Sequence, residues 1–231
     1  MARTRVVAAA LLAVVALVAC GGSSGGTPSV TGSPGSSPSP QGSGGSSPSS
    51  GPPEAPVPVE SNPPGDIPDS THYVGYHSAK GRLSLRVPEG WSRTTTNSSV
   101  SFSDKLNSVT VEWFKASSAP TTGSARSKEV PQLRRTERAF SLKEILACSP
   151  SCTIPYTTNP IDVHLPSAQA VVIRYFANSA PNPVTGKQYR DEVVRFEFFK
   201  SGTEAALRLS GPVGSDNVDP WRLVAESFAW S

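Results

Sequence analysis

Cysteine is the residue type in this chain with the widest choice of chemistry, and the sequence holds three of them. Cys148 and Cys152 are separated by three residues, whereas a thioredoxin-like redox motif has two between its cysteines. A zinc site would need two further ligands, and the three histidines stand at no ligand spacing. In an oxidising compartment a pair this close forms a disulfide. We therefore predict a disulfide between Cys148 and Cys152 and no metal or cofactor, with a redox pair and a metal site as the alternatives.

The side chains that could perform acid–base or nucleophilic chemistry form no recognisable catalytic group. The string GGSSG at residues 21–25 matches the G-x-S-x-G pattern of hydrolases, but it lies in a stretch of Gly, Ser and Pro that cannot supply the strand-to-helix turn of that motif. Asp191 and Glu192 are adjacent, so in a strand they point to opposite faces and cannot act as a pair. We expect both to be solvated. The sequence therefore favours a protein that is not an enzyme.

The beginning of the chain has the order of a secretory signal. Arg3 and Arg5 precede an uncharged apolar stretch at residues 6–19, which is shorter than the ~20 residues that a membrane span needs. The run LVAC at residues 17–20 resembles the lipobox of bacterial lipoproteins. That resemblance implies that residues 1–19 are a signal peptide and that Cys20, lipidated with acyl chains such as palmitate, holds the protein on the extracytoplasmic face of the cell membrane. The alternative is an ordinary signal peptide with an incidental cysteine.

Residues 20–70 have the composition of a tether. No charged side chain occurs between residues 21 and 53, where Gly, Ser and Pro predominate. Such a segment has too little apolar surface to offset the entropy of ordering, so we predict that it is disordered. Residues 71–231 are long enough for one α+β domain. Two of the 21 Lys and Arg and four of the 18 Asp and Glu precede this domain, which leaves it a surplus of five positive charges, too few for a nucleic-acid-binding surface.

The first part of the domain predicts a three-stranded meander with one apolar face. Apolar residues alternate with polar ones at residues 83–87, 100–102 and 109–113, which is the period of a half-buried strand. Residues 104–107 predict a hairpin turn between the second and third of these strands.

The remainder of the domain predicts two helices and four more strands. Pro131 marks the first position of a short helix that ends near Arg138. Asp219 caps a second helix, in which Trp221 and the apolar residues at i+3 and i+7 form one buried face. The strands are expected at residues 140–147, 168–176, 194–198 and 207–209, with a tight turn at 201–202 between the last two.

These elements predict an α+β fold, in which an antiparallel β-sheet packs with about two helices. The order of the elements, the run GRLSLRVPEGW at residues 81–91 and the run SFAW at residues 227–230 resemble the Mog1/PsbP-like fold. The motifs at residues 182–187, 210–212 and 216–222 resemble those of actinobacterial lipoproteins. PsbP-like proteins of this kind are mostly binding or assembly factors, so the resemblance implies a binding domain.

One concentration of basic residues is the candidate contact surface of the domain. It consists of Arg126, Lys128, Arg134, Arg135 and Arg138. Such a group is either a solvated helix face or a surface that contacts anionic lipid headgroups or wall polymer. We predict a lipid-anchored envelope protein whose domain binds a protein partner, such as a transporter or an assembly complex, and does not bind nucleic acid. The alternative is a carrier of small molecules or lipids that uses a cavity between the sheet and the helices.

Overall fold

The computed structural model describes residues 54–165 and 168–231. The predicted signal peptide, the lipidated Cys20 and residues 21–53 lie outside the described residues, so their roles stay predictions. In the part of the chain that is described, no helix is both long and apolar enough to cross a membrane.

The described residues form twelve β-strands and three short α-helices, the first two of which are joined by a π-helical stretch. The strands are β1 (Tyr73–Ser78), β2 (Leu83–Pro88), β3 (Ser92–Thr95), β4 (Ser99–Asp104), β5 (Asn107–Lys115), β6 (Ser141–Cys148), β7 (Ser151–Ile154), β8 (Ile161–His164), β9 (Ala170–Asn178), β10 (Arg190–Lys200), β11 (Thr203–Pro212) and β12 (Ala229–Trp230). The helices are α1 (Thr122–Ser124), α2 (Val130–Thr136) and α3 (Val218–Glu226), and the π-helical stretch is Ala125–Glu129. We call residues 122–136 the helical segment.

Seven strands form the main sheet, in the order β3-β4-β5-β11-β10-β9-β6, and all neighbours are antiparallel. Strands β1, β2 and β12 form a second sheet, and β7 pairs with β8. Ser201 and Gly202 join β10 to β11 with φ angles of 49° and 77°, the left-handed conformation of a two-residue hairpin turn. The α+β fold class, this turn and the four strands predicted in the second half of the domain, which are β6, β9, β10 and β11, are therefore confirmed.

The predicted three-stranded meander is wrong in its first strand. β4 and β5 pair as predicted, with Asp104 opposite Asn107 at their turn. β2 instead pairs with β1 and β12 in the second sheet. The alternation of Leu83, Leu85 and Val87 determines which face of β2 is buried, but it carries no information about which strand lies alongside.

One face of the main sheet, which we call the apolar face, shares a core with α3 and the two smaller sheets. Phe196 and Phe198 of β10 are 1% and 0% exposed, and the ring of Phe198 stacks on that of Phe228 with the centroids 3.9 Å apart. Trp221 and Val224 of α3 lie in the same core, so the predicted buried face of this helix is confirmed. Because each buried side chain of this size contributes roughly 1.5–3 kcal/mol, this layer is a main source of stability.

The beginning of α3 differs from the prediction. Asn217, not Asp219, is the residue at the N-cap, and the Asp219 carboxylate instead pairs with Nη2 of Arg222 at 2.7 Å. Asn217 is fully buried and bonds to the chain that precedes β1. Its Oδ1 accepts the backbone N–H of Ile67 at 2.9 Å, and its Nδ2 donates to the carbonyl of Gly65 at 3.2 Å. The start of the helix is therefore determined by this distant segment rather than by a local cap.

Residues 54–70, which the sequence places in the tether, lie along the domain without a helix or strand. Ile67 is 5% exposed and belongs to the main core. Gly65 has a φ of 125°, and a Cβ at this position would lie 2.9 Å from a proline side chain of β11, so the position needs glycine. These residues are part of the folded domain, which composition did not reveal because an irregular segment has no hydrophobic period.

The helical segment is longer than predicted and begins before Pro131. The Thr121 hydroxyl caps it by accepting the N–H of Ser124 at 3.0 Å, and the Ser124 hydroxyl accepts the N–H of Thr121 at 2.8 Å. Pro131 is the second residue of α2 rather than the first residue of the helix. Because proline lacks an N–H and crowds the preceding turn, a π-helical stretch before it lets the helical chain continue.

The predicted disulfide is present. Cys148 and Cys152 are bonded, with their Cα atoms 4.9 Å apart. The bond connects the end of β6 to β7, and Cys148 is fully buried in the main core. It therefore closes a short loop at the edge of the main sheet.

Candidate functional site

The opposite face of the main sheet, which we call the charged face, packs against the helical segment. Ala125, Val130 and Leu133 of this segment contact Ile173 and Val193 of the sheet in a second, smaller apolar core. Because side chains alternate along a strand, the residues that follow Val193 on this face are every second residue of β10. The first two of those residues are charged, and they lie beside the second core rather than in it.

A cleft of about 290 Å³ lies between the helical segment and the charged strands, and we call it the polar cleft. Its charged lining residues are Glu112, Glu129, Glu137, Arg195 and Arg208. Only two residues of its lining are apolar. The polar cleft is therefore suited to a polar or charged group and not to an acyl chain.

Both arginines of the polar cleft are paired with carboxylates of the domain. Nε of Arg195 donates to Oε1 of Glu197 at 3.1 Å, and Nη1 of Arg195 lies 3.9 Å from Oε2 of Glu112. Nε of Arg208 lies 3.4 Å from Oε1 of Glu137. Because the carboxylates outnumber the guanidinium groups, the cleft is negative when its carboxyls are ionised.

Two carboxyl groups of β10 and β11 are buried on the charged face. Glu197 and Glu204 are 0% and 6% exposed. Burial raises the pKa of both, because it penalises the charged form. The charges of Glu197 and Glu129 add to this effect and raise the pKa of Glu204 to about 7. Oε2 of Glu197 and Oε1 of Glu204 have no hydrogen-bond partner among the described residues.

A second cleft, of about 330 Å³, lies where the chain enters the helical segment, and we call it the apolar cleft. Its lining includes Pro120 and Thr121 before the segment, Val171 of β9 and Phe199 of β10. Glu197 also lines it. The carboxylate of Glu197 therefore connects the two clefts, because an arginine of the polar cleft binds its Oε1.

Asp191 and Glu192 point to opposite faces of β10, as predicted, but the expectation that both are solvated is wrong. Asp191 is 8% exposed, its Oδ2 accepts the Ser210 hydroxyl at 3.2 Å, and burial raises its pKa to about 6. Glu192 is fully buried, and burial raises its pKa. Its Oε1 accepts Nε of Arg174 at 2.5 Å and the N–H of Thr157 at 3.2 Å. Both carboxyl groups are shielded from solvent, because β10 lies inside the main sheet and that sheet is covered on both faces.

The arrangement of these groups is suited to binding. Glu204 has a pKa that suits a general acid or base, but it lines neither the polar nor the apolar cleft. A catalytic acid must come within hydrogen-bond distance of its substrate. Within residues 54–165 and 168–231, no three His, Cys, Asp or Glu side chains are placed to hold a metal ion. That the protein is not an enzyme stays a prediction.

The residues predicted as a contact surface are all exposed, on the helical segment or just after it. Nη1 of Arg138 pairs with Oε2 of Glu54 at 3.1 Å, so this cation is used within the domain. The other four, which we call the basic surface, form no ion pair with any described residue: Arg126, Lys128, Arg134 and Arg135.

Sequence reasoning missed the buried charges of β10 and β11. Arg195 and Glu197 alternate with apolar residues, a pattern that also fits a strand with one solvated side. The available signal was length, since β10 and β11 have 11 and 10 residues, against a usual value of about 5–6. A strand this long runs beneath the elements that pack on both faces of its sheet. The polar residues of such a strand are therefore candidates for burial.

No family model matches this sequence, and no curated protein matches it either. Among solved structures, the chain is similar to cyanobacterial PsbP of Synechocystis, with 14% identity and a TM-score of 0.44 over 71% of this chain and 95% of that one. It is also similar to the Ran-binding protein Mog1p of Saccharomyces cerevisiae, with 7% identity and a TM-score of 0.42 over 70% of this chain and 96% of that one.

A protein of Bacteroides thetaiotaomicron is similar at 9% identity and a TM-score of 0.40, over 68% of this chain. The chain spans 48% of the length of that protein. These likenesses concern the arrangement of strands and helices, and they include the two proteins after which the predicted fold is named. The predicted relation to actinobacterial lipoproteins stays a prediction.

Proposed function

We propose that this protein is a non-catalytic binding domain, anchored to the cell membrane through lipid on Cys20, that binds an envelope protein on the extracytoplasmic side. The observation that supports a protein partner is the basic surface, whose four cations are exposed and form no ion pair with any described residue. Such cations attract an acidic surface and increase the rate at which it docks. The partner is therefore a protein with an acidic contact surface, such as a transporter or an assembly complex.

The helical segment is well placed to present the basic surface. Val130 and Leu133 are 5% and 7% exposed in the second core, while Arg134 and Arg135, next to Leu133, are exposed. A cation on an element that is already fixed to the sheet loses less conformational entropy on binding than one on a free loop. This supports an interface role for the segment.

Palmitate labelling and substitution of Cys20, whose thiol would carry the lipid, test the membrane anchor. We expect the protein to incorporate labelled palmitate and to sediment with membranes, and Cys20→Ala to abolish the incorporation. Cys152→Ala is the matched control for the loss of a cysteine and should still be labelled. Palmitate incorporation that survives in Cys20→Ala would show that the lipid, if any, is elsewhere.

The partner is tested by photocrosslinking in intact cells. The photoreactive residue replaces Arg134 or, as the control, Arg93, an exposed residue of β3 at the far edge of the main sheet. We expect a discrete protein adduct from position 134 and none from position 93. The adduct should weaken when Arg126 and Lys128 are changed to Glu, because this reverses the local charge.

Three outcomes of that experiment would contradict a protein partner. They are an adduct at position 134 with lipid or wall polymer only, equal protein adducts at both positions, and an adduct that is insensitive to the charge reversal. The first of these outcomes would identify the basic surface as one that contacts an anionic envelope polymer or lipid.

A carrier of small molecules is the second candidate function, and one observation favours it. The apolar cleft contains a buried carboxylate, and one of its oxygens has no hydrogen-bond partner among the described residues. Its volume of about 330 Å³ is at the lower end of the range for small-molecule sites, roughly 300–1,000 Å³, so a small ligand suits it better than a lipid.

A further inference from the structure

The apolar cleft reaches a buried carboxylate that has an unused acceptor. Glu197 lines the cleft and is 0% exposed, and its Oε1 accepts Nε of Arg195 at 3.1 Å. Its Oε2 has no hydrogen-bond partner among the residues that the structure describes. Because a buried carboxylate oxygen without a donor is unfavourable, a ligand that brings a donor would be stabilised there.

The charges around Glu197 favour a donor that is positively charged. Glu129 and Glu204 both interact unfavourably with the Glu197 carboxylate. Arg195 interacts favourably with Glu197, but its guanidinium also lies 3.9 Å from a carboxylate oxygen of Glu112. Carboxylates outnumber cations at this place, and an added positive charge would balance them.

The walls of the apolar cleft determine the size and polarity of the part of the ligand that does not contact Glu197. Pro120, Ala147, Val171 and Phe199 contribute to an apolar lining around a volume of about 330 Å³. We propose that the apolar cleft binds a small primary amine, with the ammonium group on Glu197 and a compact apolar body, such as one aromatic ring, against these walls. This site is separate from the basic surface, and the inference does not rest on the proposed protein partner.

Entry of the ligand requires small side-chain movements. Glu197 has no exposed surface, so the ammonium group reaches Oε2 only when side chains of the lining move aside. Gln169 is exposed and Phe199 is half-buried, and both line the cleft. Their rotation leaves the hydrogen bonds of β10 with its neighbours intact, because those bonds involve the backbone only.

Isothermal titration calorimetry of the full-length protein in detergent tests the inference, with benzylamine as the ligand. Benzyl alcohol is the uncharged control of the same shape. We expect benzylamine to bind saturably, and about tenfold or more tightly than benzyl alcohol, because a hydrogen bond between charged groups is stronger than a neutral one. Glu197→Gln keeps the shape of the side chain and removes its charge, so it should weaken benzylamine binding by about tenfold or more.

Two further variants keep the test decisive. Glu144→Gln removes an exposed carboxylate of β6 that lines neither cleft and should leave benzylamine affinity unchanged, as the matched control. Ala147 is exposed on β6 opposite Val171, so Ala147→Phe fills the cleft without changing Glu197, and we expect it to abolish benzylamine binding. Ala147→Phe therefore tests the cleft in the case that Glu197→Gln alters folding.

The inference is overturned if benzylamine does not bind, if it binds no more tightly than benzyl alcohol, or if either Glu197→Gln or Ala147→Phe retains full affinity. The crosslink from position 134 should be the same in both variants as in the unmodified protein. That comparison separates a failure of the amine site from a failure of the proposed protein partner.

Discussion

The two faces of β10 differ in what they bury, although alternate residues of one strand form both. On the apolar face, Val194, Phe196 and Phe198 pack in the main core. On the charged face, Arg195 is half-buried and Glu197 is fully buried. Because both faces of β10 are covered, exposure to solvent does not explain why one of them carries charged residues. The comparison teaches that a strand inside a sheet can stabilise the fold through one set of residues and carry binding chemistry through the other.

The apolar residues of these faces and the buried carboxyl groups of the charged face contribute to stability with opposite signs. Burial of apolar surface is favourable by roughly 25 cal/mol for each Å². Burial of a carboxyl group that raises its pKa destabilises the folded state once that group is ionised. Asp191, Glu197 and Glu204 are all buried on the charged face with raised pKa values. The presence of buried polar groups that oppose folding is better explained by a role in binding than by a role in stability.

The largest effect on stability is expected where the apolar face shares its core with α3. Trp221 is 1% exposed, so Trp221→Ala leaves a cavity and should lower the free energy of unfolding by ~3–5 kcal/mol, measured by chemical denaturation. Leu223→Ala, on the same helix at 44% exposure, is the matched control and should lower it by less than about 1 kcal/mol. Equal losses in the two variants would contradict a stabilising role for this layer.

The next largest effect on stability is expected at a charged pair on the apolar side of the sheet. Nε of Arg174 donates to the fully buried carboxylate of Glu192, which otherwise accepts the N–H of Thr157. Arg174→Met leaves that carboxylate without its cation, and we expect the free energy of unfolding to fall by roughly 3 kcal/mol at neutral pH. Adding Glu192→Gln should restore part of the loss. A double variant as unstable as the single one would show that lost packing, not the unpaired charge, causes the effect.

On the charged face, removal of a charge should act in the opposite direction. Oε1 of Glu204 has no partner among the described residues, and Glu197 and Glu129 repel its charge. Glu204→Gln removes the ionised form, so we expect the free energy of unfolding to rise by roughly 1–2 kcal/mol at about pH 8. Chemical denaturation of both proteins over a range of pH measures this difference.

The sign of the pH dependence follows from the direction of the pKa shift. Folding raises the pKa of Glu204 from 4.5 to about 7. The stability that the protonated carboxyl contributes is therefore fully present below pH 4.5 and is lost as the pH rises through 7. The advantage of Glu204→Gln should be small at low pH and grow across this window. An advantage that does not change with pH would contradict the raised pKa.

Much of the fold could be predicted because alternation and helical spacing are local properties. The pattern around Phe196 shows which side of β10 packs in the main core, and the spacing that begins at Trp221 shows which side of α3 is buried. The sheet that a strand joins is not a local property, so β2 was assigned to the wrong one. Ile67 was missed for a related reason, since a segment that packs irregularly has no period to detect.

The candidate site was harder to predict, because its burial depends on an element far away in the sequence. Glu197 and Glu204 are buried in a sheet whose charged face packs against the helical segment, which contributes Val130 and Leu133 to the second core. Nothing in the sequence near either glutamate encodes that contact. The cations of the basic surface could be predicted as a group because they are neighbours along the chain.

The smallest effect on stability is expected at the basic surface. Arg134 and Arg135 are exposed and form no ion pair with a described residue, so changing both to Glu should alter the free energy of unfolding by less than about 0.5 kcal/mol. Leu133→Ala, at the adjacent buried position, is the matched control and should lower it by ~2 kcal/mol or more. If the double charge reversal were as costly as Leu133→Ala, the two arginines would stabilise the fold. The helical segment would then no longer separate a side that packs on the sheet from a side that is free to bind.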